Sequence, residues 1–75
     1  MKKIEFKLDS EYIELIKLLK FLSLADSGAH AKMLVESGEV FLNDLPEYRK
    51  RAKIRPGDII KTRSCEIYVS GEFKK

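Results

Sequence analysis

Arg49, Lys50, Arg51, Lys53 and Arg55 crowd into one short stretch of the chain, and the mixture suits phosphate. An Arg guanidinium forks onto two phosphate oxygens, whereas a Lys ammonium supplies a mobile point charge, so together they fit a sugar-phosphate backbone better than base edges. The stretch belongs to Glu47–Arg63, EYRKRAKIRPGDIIKTR, which holds seven of the fifteen Lys and Arg residues and only two acids, Glu47 and Asp58. Its net charge is +5, against −2 for the remainder of a chain that carries +3. A local cluster of one sign, beside apolar residues that must be buried, suggests a rigid platform for a polyanion, since its internal repulsion is relieved when counter-charge arrives. The competing expectation is a charged loop that merely faces water.

Other residues could extend such a surface. Ser27, Gly28 and Ala29 open a predicted helix, where free N–H groups and the helix dipole favour a phosphate oxygen; ordinary capping asks for the same Ser27. Lys32 lies one turn further along. Lys17 and Lys20 sit on the preceding helix, where solubility and the helix dipole account for them equally well. His30 either stacks on a base or covers the edge of the core, and Tyr48 either stacks on an exposed base or packs against the sheet. Phe41 is assigned to the fold, and Cys65 is read as an incidental thiol in a turn. One His and one Cys make no structural zinc set, and a lone Cys makes no internal disulfide. With no Gly-rich phosphate loop, metal-ligand cluster or Ser/His/Asp spacing, no catalysis and no cofactor are expected.

At 75 residues the chain fits one domain, burying about 60 % of the surface its unfolded form exposes. Hydrophobic residues at 44 % and seven Phe and Tyr supply one core, and 36 % charged residues supply a solvated shell, which argues against wholesale disorder. The N-terminus MKKIEFKLDSE lacks the apolar run of a signal peptide, and no stretch approaches the roughly 20 apolar residues of a membrane span. The expected location is the cytoplasm.

The elements that would position these residues follow from periodicity. Ile4, Phe6 and Leu8 alternate with Glu5 and Lys7, the pattern of a half-buried strand or extended arm at an edge, residues 1–9. Ser10 or Asp9 would cap a first helix, with Glu11 and Glu14 in its first turns and Lys17 and Lys20 towards its end. Its apolar face is Tyr12, Leu15, Ile16, Leu19 and Leu22, widened by Ile13, Leu18 and Phe21. A second helix starts from Asp26 or Ser27 and ends at Gly38, burying Ala31, Leu34 and Val35, with the small Gly28, Ala29 and Ala31 allowing close approach to the first. Glu39 to Asn43 then reads as a strand with Val40 and Leu42 inward, and Asn43-Asp44 as a turn. Ile54 anchors the basic segment, and Pro56-Gly57 makes a type II turn. Asp58 to Thr62 is a strand, Arg63 to Glu66 a turn, and Ile67 and Val69 a last strand before a polar tail.

The order helix, turn, helix, Gly, short strand, Asn turn, basic stretch, Pro-Gly-Asp, strand resembles the RNA-binding domain first described in ribosomal protein S-four, also called the alpha-L motif. The resemblance runs from about Leu15 to Val69. It is carried by Ser27-Gly28-Ala29-His30-Ala31-Lys32, Gly38-Glu39-Val40-Phe41-Leu42-Asn43, Arg49-Lys50-Arg51, Lys53-Ile54 and Pro56-Gly57-Asp58-Ile59-Ile60. Among the members, the chain is most similar to the small stand-alone bacterial ones. It departs from the pattern at Glu14 and Ser27, where many members are basic, and at Asp44, where Gly is usual.

The resemblance implies an α+β domain of two antiparallel helices packed on a small, mostly antiparallel sheet. It also implies recognition of structured RNA, ribosomal or transfer RNA, with no membrane or small-molecule substrate, by a monomer. The candidate RNA-binding residues are Ser27, Gly28, Lys32, Arg49, Lys50, Arg51, Lys53 and Arg55. The alternative is a protein-interaction module that docks an acidic partner through the basic loop. Anionic lipid is a weaker one, because the basic segment has no helical apolar stripe to insert.

Overall fold

The computed structural model describes residues 2–71; Met1 and residues 72–75 of the expected polar tail lie outside them. In chain order the elements are strand β1 (Lys2–Leu8), strand β2 (Ile13–Glu14), helix α1 (Leu15–Phe21), helix α2 (Gly28–Glu36), β3 (Phe41–Leu42), β4 (Leu45–Pro46), β5 (Lys53–Ile54), β6 (Ile59–Lys61) and β7 (Cys65–Gly71). Five strands form one sheet in the order β1-β7-β6-β3-β4, and β2 pairs with β5 in a second, two-stranded sheet. The β1–β7 pairing is parallel and the others are antiparallel. The molecule is α+β, as expected.

Register explains the core. Ile4 sits opposite Ile67, Ile67 opposite Ile60, Ile60 opposite Leu42 and Leu42 opposite Leu45, so one row of aliphatic side chains crosses the sheet on one face. Burial is complete at Ile60 and Ile67 in the middle and fades to 70 % exposure at Leu45 on the edge. Against this row pack Leu15, Leu18 and Leu19 of α1 and Ala31 and Val35 of α2, all fully buried. Their i, i+3, i+4 spacing is what gives each helix an inward stripe.

Helix α1 is shorter than its apolar pattern. It begins at Leu15, with Glu14 as an N-cap residue that makes no side-chain cap bond. Neither Ser10 nor Asp9 caps it, and Glu11 and Glu14 are not in its first turn. The Ser10 hydroxyl instead donates to the Tyr12 carbonyl at 3.0 Å, and the chain runs extended through Ile13 and Glu14, opposite Ile54 and Lys53. The Leu15 N–H donates to the Ala52 carbonyl at 2.9 Å and the Ile16 N–H to the Lys50 carbonyl at 3.1 Å. Donors that a side chain usually caps are thus satisfied by the backbone of the basic segment. Tyr12 is therefore outside the helix and 39 % exposed, and Phe21 is 71 % exposed rather than part of the inner face. Phe21 meets Phe6 edge to face at a centroid distance of 5.4 Å. Just past the helix, Ser23 takes a positive φ of 60° and turns the chain so that the Leu24 N–H reaches the Leu19 carbonyl at 2.9 Å.

Helix α2 runs between the expected caps. The Ser27 hydroxyl accepts from the His30 N–H at 3.1 Å, and Gly38 leaves the helix at φ +82°. Of the small residues, only Ala31 is buried against the core; Ala29 is exposed, and a Cβ placed on Gly28 would meet nothing. Asn43 and Asp44 both take positive φ, 51° and 73°, the pairing of a two-residue hairpin turn between β3 and β4. Cys65 is not in a turn: it opens β7, is 1 % exposed and belongs to the core, so the chain reverses over residues 62–64.

The basic segment is held at both ends. At its start, the Glu47 N–H donates to the Val40 carbonyl at 3.0 Å, and the Glu47 carboxylate accepts from the Arg49 N–H at 3.0 Å and from Arg49 Nε at 3.0 Å. At its end, Asp58 accepts from the Arg55 N–H at 2.8 Å and from the Asn43 side chain at 3.1 Å. Asn43 closes the lock by accepting from the Ile59 N–H at 2.9 Å. Gly57, at φ +99°, lets the Pro56-Gly57 turn place its N–H on the Val69 carbonyl at 2.8 Å.

Ile54 joins these parts, being fully buried and paired with Ile13. Ile54→Ala is expected to cost about 2–5 kcal/mol, visible as a lower urea midpoint, with amide exchange at residues 50–53 quickened more than in α2; a uniform quickening would contradict this local role. Arg49 also holds the Glu47 carboxyl below the ordinary glutamate range, chiefly through the side-chain hydrogen bond. A carboxyl depressed in the folded state contributes stability that is complete above the unfolded value and is lost as pH falls through the folded one. The melting-temperature gap between the native protein and Glu47→Gln should therefore close on acidification from neutrality to about pH 3. A gap that stays constant across that range would show that ionisation of Glu47 contributes nothing.

Candidate nucleic-acid interface

The loop over β5 presents its side chains outward because its carbonyls point inward to α1. Arg49, Arg51, Ala52, Lys53 and Arg55 line one open depression. Ala52 forms its floor, 4 % exposed, and the residues on either side of Ala52 and Ile54 alternate outward with the pleat of β5. Four of the eight candidate residues are brought together there. Lys50 is half-buried and contributes its carbonyl to α1, so its main structural part is played by backbone.

The charges of the segment are not equivalent. Arg49 is paired with Glu47 through Nε at 3.0 Å, with a second guanidinium nitrogen at 3.4 Å, which raises its pKa further. Lys61 pairs with Asp44 at 2.7 Å, and its pKa too is raised. Arg63 faces Glu39 at 3.8 Å. Among the described residues, Lys50, Arg51, Lys53 and Arg55 have no carboxylate partner. The basic excess in the sequence is thereby sorted into three paired cations and four open ones. Asp58 makes no ion pair with the Arg55 guanidinium; its oxygens accept from the Arg55 N–H and the Asn43 side chain.

Lys53 has an unforeseen neighbour. Its Nζ stands 5.0 Å from the centroid of the Tyr12 ring, a cation–π arrangement that orients the ammonium without cancelling its charge. The pairing arises because the extended run before α1 lies against β5. Sequence spacing holds no signal for it, since the two residues stand far apart in the chain. The Glu47 clamp on Arg49 could have been found from the Glu-x-Arg spacing.

Lys32 lies apart from this depression. It lines a second one on the outer face of α2 with Ala29, Met33, Glu36 and Ser37. Ser27 and Gly28 open that helix, but the Ser27 hydroxyl is committed to the His30 N–H. His30 in turn accepts the Asp26 N–H at Nδ1, 3.0 Å away, which assigns this ring to the fold of the inter-helix turn. The structure therefore gives Ser27 a capping part and leaves Gly28 open to close approach from outside. No group of three or more His, Cys, Asp or Glu among the described residues could hold a metal ion. No described helix is long and apolar enough to cross a membrane.

Comparison with known proteins gives a consistent picture. Over 67 residues, 89 % of this chain and 87 % of the relative, the sequence is 35 % identical to a Bacillus subtilis (strain 168) protein named as a probable ribosome maturation protein, RlbA. It is 39 % identical over 49 residues to YbcJ of Escherichia coli (strain K12), a protein named for RNA binding, with 65 % of this chain and 70 % of YbcJ covered. The solution structure of YbcJ, described as revealing an alpha-L motif involved in RNA binding, superposes with a TM-score of 0.68 at 33 % identity, covering 88 % of this chain and 85 % of that one. The family model of the S4 domain matches residues 6–70. With that match spanning nearly all the described elements, from β1 to β7, the chain belongs to the S4-domain family.

Proposed function

We propose that this protein binds structured RNA through the basic depression of the β5 loop, without altering it chemically. One observation carries the reading: Arg51, Lys53 and Arg55 line a single depression, have no carboxylate partner among the described residues, and rise from a backbone bonded to α1. Cations fixed in this way gain from a phosphate backbone without first leaving an internal partner. The fold likeness to YbcJ, whose motif is described as involved in RNA binding, supports the same ligand class. Ribosomal RNA is the favoured target, on the strength of the similarity to a protein named for ribosome maturation, with transfer RNA the other member of the class. The depression reads shape and phosphate, as double-stranded RNA is mostly read. Lys50 flanks it, and Lys32, with Gly28 and Ser27 at the start of α2, extends the contact along that helix. Arg49 joins the surface through a side chain that is 78 % exposed although clamped by Glu47.

Titration against a structured RNA should give a log K against log[salt] slope on the order of −3 to −5. Replacing Arg51, Lys53 and Arg55 together by Ala should weaken binding at low salt and flatten that slope by about 2 to 3. Arg49→Ala should cost less than Arg51→Ala, because Glu47 already occupies its guanidinium. A triple variant that keeps its RNA affinity but loses attachment to an acidic protein would transfer the loop to protein docking.

A further inference from the structure

Tyr48 is 60 % exposed and immediately precedes Arg49, yet its position is set by two clamps. The preceding residue is bonded to the Val40 carbonyl, just before β3, through the Glu47 N–H. The following residue is bonded back to the Glu47 carboxylate through the Arg49 N–H. The phenol end of the ring rests on Gly38, close enough that a Cβ there would stand 3.4 Å from Cε1 and from the hydroxyl oxygen. Gly38 itself requires a positive φ to end α2, so the same residue turns the helix and seats the ring. Among the described residues neither an aromatic ring nor a cation stacks on Tyr48, unlike Phe21, which meets Phe6, and Tyr12, which meets Lys53. Tyr48 thus links Gly38, which follows Ser37 of the α2 depression in the chain, with Arg49 of the cationic one.

Resting on the RNA-binding reading above, we infer that Tyr48 is a stacking platform for one unpaired nucleobase of the bound RNA. An exposed aromatic costs least when its partner is another flat apolar face, and a base offers one whatever its identity. The guanidinium nitrogen of Arg49 that lies outside the Glu47 clamp can reach the phosphate of the same nucleotide, so that base and backbone are taken by adjacent residues. A surface of phosphate-binding cations alone has no means of telling a paired stem from a stem with a loop. Tyr48 provides one, and the preferred ligand is a helix bordered by unpaired nucleotides.

The test uses the full chain and three probes of one sequence: a stem-loop RNA, the corresponding uninterrupted duplex, and the stem-loop with abasic loop nucleotides. Tyr48→Ala is expected to weaken stem-loop binding about tenfold, to change the other two less than twofold, and to leave the salt slope unaltered. Tyr48→Phe keeps the ring and should bind all three as the native protein does. The chain has no Trp and three Tyr residues, so part of its tyrosine emission should be quenched by the stem-loop in the native protein and not in Tyr48→Phe. That second readout stands even if the Ala variant folds poorly. Equal losses on all three probes, or no loss and no Tyr48 quenching while the native protein binds RNA, would overturn the stacking role alone. Native protein that binds none of the probes would overturn the RNA-binding reading and the platform with it.

Discussion

The first two N–H groups of α1 donate to the carbonyls of Ala52 and Lys50, and the arrangement of the surface depends on that contact. A helix end in a small domain must find acceptors for its free donors, and a side-chain cap is the common solution. Here the basic segment supplies main-chain acceptors, and its side chains are turned outward as a consequence. The helix that centres the core and the loop that carries the cations are thereby one unit. Weakening either loosens the other.

Charge in this molecule is organised by which carboxylates the fold brings within reach. Glu47, Asp44 and Glu39 take Arg49, Lys61 and Arg63 respectively. Exposed pairs of this kind contribute little stability, and their larger effect is to leave the open positive charge of the basic segment in and beside one depression. Glu47 differs from the other two, since its side chain is only 13 % exposed and it also orders the backbone of Arg49. Asp58 accepts from the Arg55 N–H and from the Asn43 side chain, fixing the turn that brings Arg55 to the rim.

The hairpin turn shows how local and distant effects combine. Asn43 and Asp44 adopt left-handed conformations in which Asn and Asp are the best tolerated residues after Gly. Asn43 then uses both ends of its amide where the chain enters β6, donating to Asp58 and accepting from Ile59. The departure from the usual Gly at Asp44 is met by an ion pair with Lys61. A turn residue that is also a cross-strand link ties β3 to the Pro56-Gly57 turn.

Much was legible in the chain because it is decided locally. The alternation of Ile4, Phe6 and Leu8, the Ser27 cap, the Gly38 exit, the Asn43-Asp44 turn and the positive dihedral of Gly57 follow from residues within a few positions of one another, and each stands where its residue types require. The start of α1 was not legible, because its apolar pattern continues upstream to Tyr12 while pairing with β5 draws Ile13 and Glu14 into an extended form. The placement of Cys65 was lost for a related reason: a strand that pairs on both sides can begin before its alternation becomes visible. The sequence alone determined that a basic segment lies beside an apolar anchor. Only the tertiary structure decided which cations remain open, since the partners of Lys61 and Arg63 come from residues far away in the chain, and strand register, not composition, brings them together.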